Sequence, residues 1–100
     1  MRLQFESGAA IDNPSESDFE RIPAEEFAIL SRDEGTYLQC LDAPEPDWEY
    51  VLEYQDGSVQ AHFTAVDHPI TLDRVVDAFT KYLHDDPSWK ADFQWERIDV

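Results

Sequence analysis

Cysteine is nearly absent: Cys40 is the one thiol among 100 residues. It cannot close an intramolecular disulfide, has no second cysteine for a zinc site, and fits a reducing, cytoplasmic setting. Glycine is scarce too, with three residues, none in a phosphate-cradling loop or a Gly-x-Ser-x-Gly elbow. No apolar run approaches the roughly 18 residues that a membrane-spanning helix needs. Met1-Arg2-Leu3-Gln4-Phe5-Glu6 has no apolar core region and predicts no signal peptide. Basic residues are few: Arg2, Arg21, Arg32, Arg74, Lys81, Lys90 and Arg97 are scattered and form no patch. Nucleic acid and anionic membrane surfaces are thereby excluded as expected partners, because both need Lys and Arg at the contact. His62, His68 and His84 lack zinc-ligand spacing, and the acidic loop Asp42–Asp47 carries two prolines and no EF-hand register. Neither a metal nor a cofactor is expected.

What is present is acid. Asp and Glu number 23, for a net charge of −16, with 13 acids against three bases in residues 1–50 and 10 against four in residues 51–100. The excess is therefore no tail, and a compact fold carrying it repels itself unless the charge serves the outside of the molecule. Aromatic content of 13% and hydrophobic content of 42% argue for a folded core over disorder. The length fits one domain, residues 1–100, burying roughly 60–70% of its extended-chain surface.

Arg2 to Glu6 alternates as a strand, Gly8 to Asn13 reads as a loop, and residues 14–22 as a short helix. Ser15 would cap that helix with Asp18 at its third position, Phe19 and Ile22 would face inward, and Pro23 would stop it. Phe27 to Arg32 and Thr36 to Leu41 read as strands around the turn Asp33-Glu34-Gly35, with Cys40 a small buried hydrophobe on the face of Leu38. Trp48, Tyr50, Leu52 and Tyr54 alternate up to Asp56-Gly57, the signature of a two-residue hairpin turn. That turn pairs Tyr54 with Val59, Leu52 with Ala61, Tyr50 with Phe63 and Trp48 with Ala65. Every large apolar residue then shares one face except Val51, and Glu49, Glu53, Gln60, His62 and Thr64 take the other. Thr71 caps a helix to about His84, whose stripe is Leu72, Val75, Val76, Phe79, Tyr82 and Leu83, with Asp77 and Lys81 paired. Residues 92–98 form a closing strand. The expected fold is α+β: one antiparallel sheet of about five to six strands on a main C-terminal helix plus a short N-terminal helix, in the order β-α-β-β-β-β-α-β.

Three features compete for function. Asp67-His68 would orient an imidazole if both side chains converged, although neighbours in sequence seldom do. Trp48 and Trp95 alternate as core residues, while Trp89 sits in a loop, where it closes one end of the core or anchors a contact. The third feature is local acidity: Asp42, Glu45, Asp47, Glu49 and Glu53 fall on one stiff loop and the polar face of the next strand. It reads either as a solvated face of a generally acidic proteome or as a surface complementary to a basic protein, raising association rate and setting orientation.

The final third, Thr71-Leu72-Asp73-Arg74-Val75-Val76-Asp77-Ala78-Phe79-Thr80-Lys81-Tyr82-Leu83 followed by Pro87 and Phe93-Gln94-Trp95-Glu96-Arg97-Ile98, resembles the Imm1-type immunity proteins of bacterial polymorphic toxin systems. The preceding order of elements is similar as well. The resemblance implies a non-enzymatic cytoplasmic protein that covers the basic active site of a cognate toxin, of nuclease or deaminase type, with no catalytic residues to carry over. Asp42, Glu45, Asp47, Glu49 and Glu53 are then the expected partner contacts. The alternatives are a structural or regulatory dimer subunit, or a small ligand-binding or enzymatic domain using Asp67 and His68. Monomer and homodimer remain open.

Overall fold

The computed structural model describes residues 1–98. Seven strands form one sheet: β1 (Arg2–Phe5), β2 (Ala10–Asp12), β3 (Phe27–Asp33), β4 (Thr36–Asp42), β5 (Tyr50–Asp56), β6 (His62–Ala65) and β7 (Trp95–Arg97). Their spatial order is β2-β1-β3-β4-β5-β6-β7, and every neighbouring pair is antiparallel. The helices are α1 (Leu72–Leu83) and the single turn α2 (Ser88–Ala91), with a 3-10 segment at Glu16–Ala24. The α+β architecture matches the expected one, with more strands.

The helices lie on one face of the sheet. Leu3, Phe5, Ala28, Leu30, Leu38, Cys40, Leu52, Tyr54 and Ala65 point into a core closed by Phe19 and Ile22 from the 3-10 segment and Val75, Ala78, Phe79 and Tyr82 from α1. Phe19 meets Phe79 edge to face at 5.5 Å between centroids. The N-terminus of α1 is set by Thr71, whose hydroxyl accepts the Arg74 N–H at 3.4 Å. Near its C-terminal end Lys81 bonds Asp77 at 2.9 Å, one turn back.

Several local expectations are corrected. Within the expected Gly8–Asn13 loop, Ala10–Asp12 forms edge strand β2, too short to leave an alternation in sequence. The first helix is 3-10: the Ser15 N–H donates to Asp18 Oδ2 at 2.8 Å as expected, but the segment runs through Pro23 to Ala24. The β5–β6 register also differs, with Glu53 opposite Thr64, Tyr54 opposite Phe63 and Gln55 opposite His62. Asp56-Gly57 does not close a two-residue turn: β5 runs on to Asp56, paired with Thr36 of β4, and the Gly57 N–H donates to Gly35 O at 2.9 Å in the adjacent β3–β4 turn. The chain then adds a 3-10 turn at Val59–Ala61 before β6 begins. The residues paired between β5 and β6 keep their expected faces, Val59 does not and is exposed in the 3-10 turn, and Tyr54 stacks on Phe63 at 4.9 Å.

The tryptophans also redistribute. Trp89, carried on α2, is buried against Tyr54, Tyr82 and Trp95 and closes the core end. Trp48 leaves the core: a 3-10 turn, Pro46–Trp48, and Glu49 at φ 61° interrupt the strand before Tyr50, and Trp48 is 38% exposed. The closing strand shortens to Trp95–Arg97, since residues 88–91 are helical and Phe93 turns into the core.

Candidate docking face

Among the described residues no helix packs on the other face of the sheet, and its side chains lie in three rows set by the strand register. One row is apolar: Phe27, Leu41 and Val51 are consecutive cross-strand neighbours on β3, β4 and β5, each half-buried. The row continues into a groove of about 370 Å³ lined by Trp48, Val51, Thr64, Ala65, Val66, His68 and Glu96. Trp48 and Val66 are two of the exposed large hydrophobics of the chain. A neighbouring row is Ile29, Gln39, Glu53, Thr64 and Glu96, and beyond it run Ser31, Tyr37, Gln55 and His62.

The position of Trp48 is fixed from behind. Its ring stacks on His68 with centroids 4.1 Å apart and planes 4° from parallel. The buried Ile70 donates its N–H to Trp48 O at 3.1 Å, and Ala43 N–H donates to Glu49 O at 3.3 Å, so the turn is held at both ends. His68 therefore serves a stack, while Asp67 accepts from Arg74 at 2.8 Å and from the Gln94 N–H at 3.2 Å. The two side chains of the Asp67-His68 pair are engaged by different partners.

Of the expected contact residues, Glu45, Asp47 and Glu49 are exposed on the turn that carries Trp48, at the end of the apolar row, whereas Asp42 alternates with Leu41 and pairs with Tyr50 on the core-side face of the sheet. Among the described residues none of the four makes an ion pair. Their charge is felt locally: burial first, then Asp42, Cys40 and Glu49, raises the Tyr50 hydroxyl above its ordinary pKa. Glu53 stands apart. Its Oε1 accepts from Gln39 Nε2 at 2.9 Å and lies 3.0 Å from His62 Nε2. On the other side of that ring, Nδ1 lies 3.2 Å from Gln55 Oε1, an amide oriented by its Nε2 bond to Gly35 O at 3.2 Å. Tyr37 completes the network through its hydroxyl, 3.3 Å from the same Gln55 oxygen and raised in pKa by burial and then by Glu53. Each histidine nitrogen thus faces an oxygen, and Glu53 stiffens the middle of the face where its charge is already shared.

No protein-family model matches the chain, and no curated protein or solved structure matches it. Among the described residues no group of three His, Cys, Asp or Glu is placed to hold a metal, and no helix is long and apolar enough to cross a membrane. What the face offers chemically is desolvation along an apolar row plus negative charge at one end. The sequence singles out the acids as contacts by their density and does not single out Phe27, Leu41, Val51, Trp48 or Val66 as parts of an open face. A signal for them existed: Phe27-Ala28-Ile29-Leu30 is apolar on both faces of its strand, and Val51 was the apolar exception on the polar face of β5.

Proposed function

We propose that this protein is a non-enzymatic binding protein that docks a basic protein partner on the open face of its sheet. The observation that carries the reading is the apolar row Phe27–Leu41–Val51, continued by Trp48 and Val66, with the exposed Glu45, Asp47 and Glu49 on the turn that carries Trp48. A desolvated apolar centre with an aromatic anchor and a charged rim is the anatomy of a specific protein interface. The rim would supply association rate and orientation, and the apolar row most of the affinity. In the immunity-protein reading the partner is a cognate toxin met in the cytoplasm, and the open face covers its basic substrate site.

The dimer alternative is disfavoured by two facts. Pairing this face with a second copy would bring two acidic rims together on molecules of charge −16. The sheet edges, β2 and β7, have three residues each, short templates for edge pairing. An enzymatic use of Asp67 and His68 has no support in their contacts.

The test is titration calorimetry, with stopped-flow kinetics, against a basic protein domain sought first among the products of the neighbouring genes. Affinity should fall steeply between about 50 and 300 mM salt. Reversing Asp42, Glu45 and Asp47 to Lys should slow association, and Leu41→Gln should weaken binding about tenfold, mainly through dissociation. Salt-independent binding, or binding indifferent to all four changes, would refute the proposal.

A further inference from the structure

We propose that the groove beside Trp48 is an arginine subsite, in which a partner guanidinium lies on the outer face of the indole with its aliphatic stem along Val51 and Val66 and its donors directed to Glu96. The inference rests on the docking face argued above and names the group that the face reads. This chain solves the same problem internally three times. Arg21 lies 4.7 Å over Phe5 with Glu25 at 3.3 Å, Arg32 lies 4.8 Å over Tyr82 with Asp85 as its ion partner, and Arg74 lies 4.4 Å over Phe93 with Asp67 at 2.8 Å. Each site combines an aromatic face with a carboxylate beside it. Trp48 offers the same combination without an internal cation: among the described residues no Lys or Arg lies over its ring, and Glu96 lines the same groove.

The indole is the strongest of the aromatic faces for a cation. Its inner face is already taken by His68, so the ring is held flat and one face remains for a guest. The groove has room for one long side chain, about 370 Å³, and an apolar floor suited to a methylene stem. A planar guanidinium stacks and still donates sideways to a carboxylate, which a lysine ammonium does not do. A nucleobase would stack equally well, but its phosphates would meet Glu45, Asp47 and Glu49.

The experiment uses the full chain, isotope-labelled, and two probes, N-acetyl-arginine methylamide and its lysine counterpart. The Trp48 indole N–H and the Val66 methyl resonances report the groove. The arginine probe should shift both saturably and bind about threefold or more tighter than the lysine probe. Trp48→Ala, read on Val66, should abolish the arginine response, and Glu96→Gln should weaken it by about twofold. Equal responses to the two probes, or an arginine response that survives Trp48→Ala, would overturn the subsite. A lysine-only basic peptide separates this failure from failure of the docking reading. If that peptide shifts the 42–51 amides in a salt-dependent way while arginine holds no advantage, only the subsite falls. If neither the peptide nor the arginine probe moves those resonances, both readings fall.

Discussion

Replacing Asp67 by Asn tests how the loop before α1 holds α1 and the closing strand together. Asp67 joins three elements: Oδ2 accepts from Arg74 Nη2 at 2.8 Å, and Oδ1 accepts the Gln94 N–H at 3.2 Å just before β7. Arg74 in turn donates to Asp67 O at 3.3 Å and Asp92 O at 3.1 Å and lies over Phe93. Asn keeps the shape and one of the two acceptors, so the change removes the charge and sets an NH2 against either the Arg74 guanidinium or the Gln94 N–H. A hydrogen bond between charged groups contributes about 1.5–3 kcal/mol. Here the two side chains are 36% and 32% exposed, and solvent screening reduces the net effect to about 1 kcal/mol at neutral pH. For a domain of this size that is a fall in Tm of about 4–8 °C. The pH dependence gives the sharper test. Burial pulls the Asp67 carboxyl upward, but the bonds from Arg74 and Gln94 outweigh it and hold its pKa below the ordinary value. A carboxyl whose folded pKa is depressed stabilises the fold above its unfolded pKa, about 4, and that contribution disappears as pH falls through the folded value. The gap between parent and Asp67→Asn in thermal unfolding followed by circular dichroism should therefore be constant from about pH 7 to 5 and close below about pH 4. Comparing the two proteins at each pH cancels the relief of general acidic repulsion that both experience. No gap at neutral pH, or a gap undiminished in acid, would refute this account of the hub.

Two further outcomes follow from the core side. A Cβ at Gly35 would sit 2.8 Å from Gly57 O, the backbone of the facing turn, so Gly35→Ala must push apart the turns joined by the Gly57 N–H to Gly35 O bond. It should lose about 1–3 kcal/mol in urea unfolding with an unchanged m-value; an unmoved midpoint would show that the turns are not coupled. Burial pushes the Cys40 thiol up to about 12, so the folded protein should resist alkylation at mildly alkaline pH and label fully in denaturant. Labelling of the native state at the denatured rate would contradict the burial of β4.

The helix α1 and the core face of the sheet were legible because their signals are local and periodic: Thr71, Val75, Phe79 and Tyr82 mark start and stripe without reference to distant chain. The β5–β6 turn was misread for the opposite reason. Asp56-Gly57 carries the local chemistry of a two-residue hairpin, but both residues are tied to the distant β3–β4 turn, Asp56 by pairing with Thr36 and Gly57 by its N–H bond to Gly35 O. Parity survived because the true register differs from the expected one by an even number of residues, which leaves each paired side chain on its own face. Trp48 failed differently: alternation extended β5 backwards through it, whereas Pro46 and the positive φ of Glu49 delay the start of the strand to Tyr50. The candidate site was half visible. Acidic residues announce themselves in composition, but an apolar row across three strands exists only once their register is known.

That register also clarifies the meaning of the charge. Six of the cations of the chain are committed to the fold: Arg2 pairs with Asp12, Arg21 with Glu25, Arg32 with Asp85, Arg74 with Asp67, and Lys81 with Asp77 and Asp92, while Lys90 lies over Tyr54. Most of these contacts tie the helical layer and the loops together. Asp42, Glu45, Asp47 and Glu49 receive none of this compensation among the described residues, and the last three lie on the turn that carries Trp48, an aromatic residue that the core leaves out. General proteome acidity accounts for a high count of acids, but not for their position beside an exposed tryptophan at the end of an apolar row. Repulsion among these four carboxylates works against the free protein and would be relieved when a basic surface covers them. The same residues that lower stability alone would thus favour the complex, which is the physical reason to read the charge of residues 42–49 as directed outward.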